Sequence, residues 1–168
     1  MSERRFDPIH ILRTMNKGGV RYVLIGGLAA KAHGSPTLTV DIDICYARDA
    51  ENLERLARVL GDLQAVRRGA PEGLPFRADS RTLRAGDHFT LTTSHGDLDL
   101  LGTPAGVSGY DELAANTEAA ELDDGLLVPV ASLDDLIRMK RAAGRPKDRI
   151  ELEVLGALRD EIDSRPGA

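Results

Sequence analysis

Two aspartates one residue apart, Asp41 and Asp43, sit in a segment otherwise built for burial, Thr39-Val40-Asp41-Ile42-Asp43-Ile44-Cys45-Tyr46. A strand's period of two puts Val40, Ile42 and Ile44 on one face and both carboxylates on the other. Asp is depleted in strands, and neighbouring carboxylates repel unless a cation lies between them. Hard divalent cations with oxygen ligands are the natural partners. Upstream, Arg21-Tyr22-Val23-Leu24-Ile25 reads as a buried strand. It ends on Gly26-Gly27, where a missing Cβ lets the backbone approach a ligand. Leu28 to His33 then suits a short helix, and free amides at such a junction can receive an anion. Alone, Gly-Gly is usually a turn and Asp-x-Asp a solvated strand face. In this order and spacing, the two together suit a metal–triphosphate complex.

The rest of the chain supplies alternating helices and strands. Asp7-Pro8 predicts a capped helix through Lys17 with Ile9, Leu12 and Met15 inward, stopped by Gly18-Gly19. Asp49 caps a helix over 50–60 whose core face is Leu53, Leu56, Ala57 and Leu60. Gly61 to Asp87 reads as a long loop at the edge of the site, with a short strand at Leu74-Pro75-Phe76. His88 to Thr93 and Asp97 to Leu101 form a hairpin around Ser94-His95-Gly96. Within it, Asp97 and Asp99 share a face opposite Leu98 and Leu100. A helix over 111–119 and strands at 120–122 and 126–130, joined by Asp123-Asp124-Gly125, come next. Ser132 opens a helix with Leu133, Leu136 and Ile137 inward and Lys140 on the same side. Gly144-Arg145-Pro146 ends it. A last helix over 147–163 is expected to pack through Ile150, Val154, Leu155, Leu158 and Ile162.

These elements predict one α/β domain, with a mixed twisted sheet over about 20–130 and a C-terminal helical pair over 132–163. At 168 residues it can bury a core without staples. Cys45 is the sole cysteine, which excludes an internal disulfide, and its place in a strand points to a packed thiol. His10, His33, His88 and His95 suggest no ligand cluster. There is neither an apolar signal core behind Arg4-Arg5 nor a membrane-length apolar run, so a cytoplasmic protein without a membrane partner is expected. The net charge of −5 argues against a general nucleic-acid surface. From Arg138 to Arg149, however, six Lys/Arg and one Asp make a local +5, where a polyanion is expected to dock.

Gly26-Gly27, the Thr39-x-Asp41-x-Asp43 strand and Leu98-Asp99-Leu100-Leu101 together resemble the nucleotidyltransferase superfamily of DNA polymerase β. The resemblance runs from about Tyr22 to Glu151. With Lys140 and Lys147-Asp148 it is most similar to small bacterial toxin nucleotidyltransferases of the AbiEii and MenT type. It implies the nucleotidyltransferase fold and transfer of a nucleoside monophosphate from an NTP to an acceptor hydroxyl, releasing pyrophosphate. Asp41, Asp43 and Asp99 are implied as catalytic metal ligands for two Mg²⁺ ions, with Mn²⁺ as an alternative. Asp99 matches the third carboxylate better than Asp97, which lies beside the turn. Gly26, Gly27, Thr39, Lys140, Arg145, Lys147 and Asp148 are implied in nucleotide binding, Lys140 also in catalysis. Two departures stand out: Thr37 where relatives often have Arg, and Gly27 where they often have Ser.

The toxin-type relatives imply a tRNA 3′ end as acceptor and a cognate antitoxin as partner. A protein hydroxyl and a small molecule of aminoglycoside type are the other enzymatic readings, the latter suited to an acidic surface. A non-catalytic nucleotide-binding module is the alternative of a different class; the presence of all three carboxylates argues against it.

Overall fold

The chain crosses one sheet seven times, and the order of crossing sets which side chains meet. The computed structural model describes residues 5–71, 73, 76–123 and 125–165. Helix α1 (Pro8–Lys17) leads into β1 (Tyr22–Ile25), α2 (Gly26–Ala32), β2 (Asp41–Tyr46) and α3 (Ala50–Asp62). Then come β3 (Val66–Arg67), α4 (Ser80–Ala85) and the hairpin β4 (His88–Thr93) and β5 (Gly96–Leu101). Helix α5 (Tyr110–Ala114), β6 (Glu118–Asp123), β7 (Leu126–Val130), α6 (Leu133–Ala143) and α7 (Asp148–Asp163) complete the chain. The strand order is β3-β4-β5-β2-β1-β7-β6. Pairs β2–β5 and β1–β7 are parallel and the rest antiparallel, giving the mixed sheet that the sequence predicts.

Local chemistry fixes most helix starts. The Asp7 carboxylate accepts from the His10 amide, Asp49 from Asn52, Asp79 from Thr82, and the Ser132 hydroxyl from Asp135. Gly144 ends α6 in the left-handed conformation, φ 62°, that glycine adopts without strain. All four residues of β1 are buried, and Ile42, Ile44, Leu98 and Leu100 have no exposed surface. Helices α1 and α3 pack together, with Ile11, Leu12 and Met15 meeting Leu53, Leu56 and Leu60 in one contiguous core. Asn52, also fully buried, ties α3 to the sheet: it donates to the Arg21 and Ala47 carbonyls and accepts from the Arg21 amide. Cys45 is fully buried 3.6 Å from the Gly102 carbonyl, and burial pushes its thiol up to about 12. Among the described residues, no helix is long and apolar enough to cross a membrane.

Several expectations need correcting. Strand β2 starts at Asp41, so Val40 lies outside the pleat and is 76% exposed rather than stacked with Ile42. The stretch from Gly61 to Asp87 is not one loop: it holds the end of α3, β3 and α4. The strand at Leu74-Pro75-Phe76 falls mostly on residues outside the described set; Phe76 itself packs beneath the Arg67 guanidinium. Asp124 of the β6–β7 turn also lies outside it. Helix α5 stops at Ala114, because Glu118 already pairs with Val130 across β6–β7. Of the apolar residues of α7 only Leu155 is fully buried, while Ile150 is 72% and Ile162 39% exposed. The helix therefore rests on the fold along a narrower stripe than its apolar pattern predicts.

Candidate active site

The parallel register of β2 and β5 sets Asp41 opposite Asp97 and Asp43 opposite Asp99. Because side chains alternate, all four carboxylates emerge on the face opposite Ile42, Ile44, Leu98 and Leu100. Carboxylate oxygens of Asp41, Asp43 and Asp99 lie within 4.8 Å of one another, the one such group of possible metal ligands among the described residues. Burial, then the charges of Asp41 and Asp99, push the Asp43 carboxyl up to about 7, and Lys140 opposes the rise. Three converging carboxylates whose negative charge outweighs that of the cations beside them fit a hard divalent cation.

The trio opens into a cleft of about 830 Å³ between the sheet and helices α2, α6 and α7. Gly26, Gly27, Thr39, Lys140, Arg145, Lys147 and Asp148 all line it, so every residue singled out in the sequence reaches one cavity. Their geometry refines what they do. A Cβ on Gly26, whose φ is +70°, would run into the Asp43 carboxylate, and one on Gly27 would sit 3.1 Å from the Thr39 side chain. These glycines thus make room for the site's own side chains. The Thr39 hydroxyl lies 3.1 Å from both the Asp41 carboxylate and its carbonyl oxygen, which orients that carboxylate.

At the α6–α7 junction, Asp148 is only 2% exposed. It accepts from Lys140 Nζ at 3.3 Å and from Arg145 Nε at 2.9 Å. Burial alone would raise its carboxyl, but the hydrogen bonds from Arg145 and Lys140 outweigh that and hold it below the ordinary carboxylate range. Arg138, meanwhile, bonds Glu112 and Asp135, each at 2.8 Å. Three of the six cations in the basic segment are therefore neutralised internally.

No protein-family model matches the sequence, and no curated protein matches it. Solved structures do match it in shape. A Thermotoga maritima protein described as a nucleotidyltransferase superposes with a TM-score of 0.57 at 18% identity, over 95% of this chain and 96% of that one. The lincosamide antibiotic adenylyltransferase LnuA, solved with lincomycin, superposes with a TM-score of 0.59 at 16% identity, over 90% and 95%. ANT(2″)-Ia, solved with adenylyl-2″-tobramycin, gives 0.52 at 20% identity, over 94% and 96%. The chain has the nucleotidyltransferase fold. At these identities the likeness establishes architecture, and it spans nearly the whole length of each neighbour.

Sequence reasoning missed three residues that this nucleotidyltransferase fold brings to the cleft. Arg68, at the end of β3, pairs with Asp99 at 2.7 Å and with Asp97 at 3.2 Å. It supplies a guanidinium to the cleft that Thr37 also lines. A two-residue strand carries no periodicity, so only the Arg67-Arg68 dipeptide could have signalled it. His88 lines the cleft, whereas His10 and His95 stack 3.7 Å apart outside its lining. Glu151, one turn beyond Asp148, lines the cleft with a buried Oε1 that has no hydrogen-bond partner among the described residues.

Proposed function

We propose that this protein is a metal-dependent nucleotidyltransferase that moves a nucleoside monophosphate from an NTP to an acceptor hydroxyl. The observation that carries the proposal is the convergence of Asp41, Asp43 and Asp99 in a cleft that Lys140 also lines. Asp41, Asp43 and Asp99 would hold the divalent cations, Mg²⁺ or Mn²⁺. Such cations neutralise triphosphate charge and stabilise the attacking and leaving oxygens of an in-line displacement.

The chain's own groups account for the rest. The acceptor oxygen bonds to the α-phosphorus as the bond to the bridging oxygen breaks and pyrophosphate leaves. Asp99 takes the acceptor's proton. Lys140, whose charge reaches both Asp43 and Asp148, faces the charge that develops on the pyrophosphate. Arg145 and Lys147 flank the same phosphates. Buried Asp148 holds Lys140 and Arg145 in place.

For the acceptor, the reading best supported is a small hydroxylated molecule. Among the described residues, the cleft lining carries no aromatic side chain other than His88 on which a base could stack. Half of the basic segment is occupied by internal ion pairs. Near-full-length neighbours include a lincosamide adenylyltransferase solved with lincomycin and ANT(2″)-Ia solved with adenylyl-2″-tobramycin. The net charge of −5 also suits a cationic acceptor. One observation favours a tRNA 3′ end instead: among the described residues, no ion pair engages Arg141, Lys147 or Arg149. A cognate antitoxin belongs to that second reading alone.

Transfer of label from each of four α-³²P-NTPs tests both. Purified protein and Asp41→Asn would be incubated with Mg²⁺ and, in separate arms, aminoglycosides and lincosamides, total RNA, or cell protein. Label on an antibiotic-sized product that Asp41→Asn fails to make supports the small-molecule reading. A labelled tRNA band moves the acceptor to RNA, and labelled protein to nucleotidylation of a partner. Transfer that persists in Asp41→Asn refutes the site.

A further inference from the structure

Among the described residues Arg68 is the one cation in direct contact with the Asp99 carboxylate, and the transfer reaction leaves it without a role. It follows β3 at the sheet edge, where its amide donates to the Thr90 carbonyl at 3.1 Å. From there its side chain reaches across β4. Nη2 donates to the Leu91 carbonyl at 2.9 Å and to Asp99 Oδ1 at 2.7 Å, while Nε lies 3.2 Å from Asp97 Oδ2. Nε is buried yet makes no well-aligned hydrogen bond. The guanidinium is therefore set by its contacts to Asp99 and Leu91 rather than by its own best arrangement. Only 18% of the Asp99 side chain is exposed, so water screens this pair weakly.

We propose that Arg68 is a built-in counter-cation that competes with divalent metal for Asp99, keeping metal affinity low until nucleotide enters the cleft. The proposal rests on the reading of Asp41, Asp43 and Asp99 as the metal site. Its physics is short. A carboxylate that already accepts a charge-assisted hydrogen bond from a guanidinium offers a weaker ligand to another cation. The two cations also repel across a poorly solvated gap. Arginine stays protonated at any physiological pH, so ionisation never relieves the competition. The incoming triphosphate brings negative charge that stabilises metal and guanidinium side by side. Arg68 is in this sense a positioning residue: it holds Asp99 and sets the order in which ligands bind.

The test is Mn²⁺ binding to the full chain without nucleotide, followed by the loss of the free-ion electron paramagnetic resonance signal. Arg68→Gln is expected to bind Mn²⁺ about tenfold more tightly than the parent, and Arg68→Lys within about threefold of it. Arg68→Met, which keeps the aliphatic stem on the sheet, is the second neutral variant in case Arg68→Gln does not fold. Asp41→Asn should weaken binding in both backgrounds. With ATP present, the gap between Arg68→Gln and the parent should narrow. If the neutral variants bind no tighter while Asp41→Asn still weakens binding, the competition is refuted and the metal site stands. If Asp41→Asn leaves Mn²⁺ binding unchanged in either background, the metal site falls and the competition with it.

Discussion

Asp43→Asn should stabilise the metal-free protein at alkaline pH while destroying its chemistry. In the native state burial and the charges of Asp41 and Asp99 push the Asp43 carboxyl from 3.8 to about 7. The unfolded chain, free of these neighbours, ionises at the ordinary value. Below that value both states are protonated and native stability is at its full level. As pH rises through the native value, ionisation in the folded state is resisted and stability falls; above it the loss is complete. At roughly 1.4 kcal/mol per unit the loss is about 4 kcal/mol as an upper bound, reduced where water or a bound cation relieves the repulsion. For a domain of this size about 2 kcal/mol corresponds to a shift of roughly 4–8 °C in Tm. Thermal melts in EDTA at pH 8 should therefore place Asp43→Asn several degrees above the parent, with the gap closing near pH 4.5. Mg²⁺ or Mn²⁺ should raise the parent's Tm and leave the variant's unchanged. A variant melting at or below the parent at pH 8 in EDTA would show that the carboxylates do not repel as the geometry requires.

Other substitutions probe separate links. Asn52→Ala removes three hydrogen bonds from a fully buried side chain, stranding the Arg21 amide and the Ala47 carbonyl, while the Arg21 carbonyl keeps its bond from the Ala47 amide. Urea titration should show a loss of about 2–4 kcal/mol, and a loss under 1 would mean those groups are otherwise satisfied. Gly26→Ala places a side chain at positive φ and against the Asp43 carboxylate, so it should lower both Tm and nucleotidyl transfer, whereas Gly61→Ala, with open space at its Cβ, should do neither. Lys140→Met is expected to slow transfer about 10²-fold in kcat with little change in acceptor KM. A change confined to acceptor KM would place Lys140 at the acceptor instead.

How far the sequence could be read depended on how far each feature carries its own period. The β2 and β5 carboxylates were legible because alternation over several residues separates Ile42, Ile44, Leu98 and Leu100 from Asp41, Asp43, Asp97 and Asp99. The caps at Asp7, Asp49 and Ser132 were legible because they are local hydrogen bonds. Helix α4 was not, since six residues around one buried leucine give no stripe. Arg68 was not, because its meaning lies in a contact with Asp99, thirty-one positions away. The basic run from Arg138 to Arg149 misled in the opposite direction. Charge along a sequence adds up, whereas in the fold Glu112, Asp135 and Asp148 neutralise Arg138, Lys140 and Arg145. Similarly, Ile150 and Ile162 match the α7 repeat, but the apolar burial of that helix centres on Leu155, with Leu152 and Leu158 packed against the core beside it.

Why does the fold tolerate carboxylates that repel one another? The register that sets Asp43 beside Asp99 also pairs Ile42 with Leu98 and Ile44 with Leu100, all without exposed surface. Burying four such side chains contributes about 6–12 kcal/mol, more than the few kcal/mol of repulsion at Asp43. A slip of one residue would turn the slipping strand's two aliphatic side chains out and its carboxylates in, losing both at once. A slip of two would keep the faces but part Asp43 from Asp99 and leave an apolar residue unpaired in the core. The hydrophobic face thus selects the alignment in which Asp43 meets Asp99 and Asp41 meets Asp97. The resulting excess of negative charge is met in three ways: by Arg68 on Asp99, by Lys140 near Asp43, and by a proton on Asp43 at low pH. The first two belong to the chain, and a divalent cation would displace the third. On this argument, replacing Ile44 by Ala should weaken Mn²⁺ binding without touching a ligand, because it loosens the register that holds the ligands together. If Ile44→Ala lowers stability by the expected 2–5 kcal/mol yet binds Mn²⁺ as the parent does, the carboxylates are held by something other than the core beneath them.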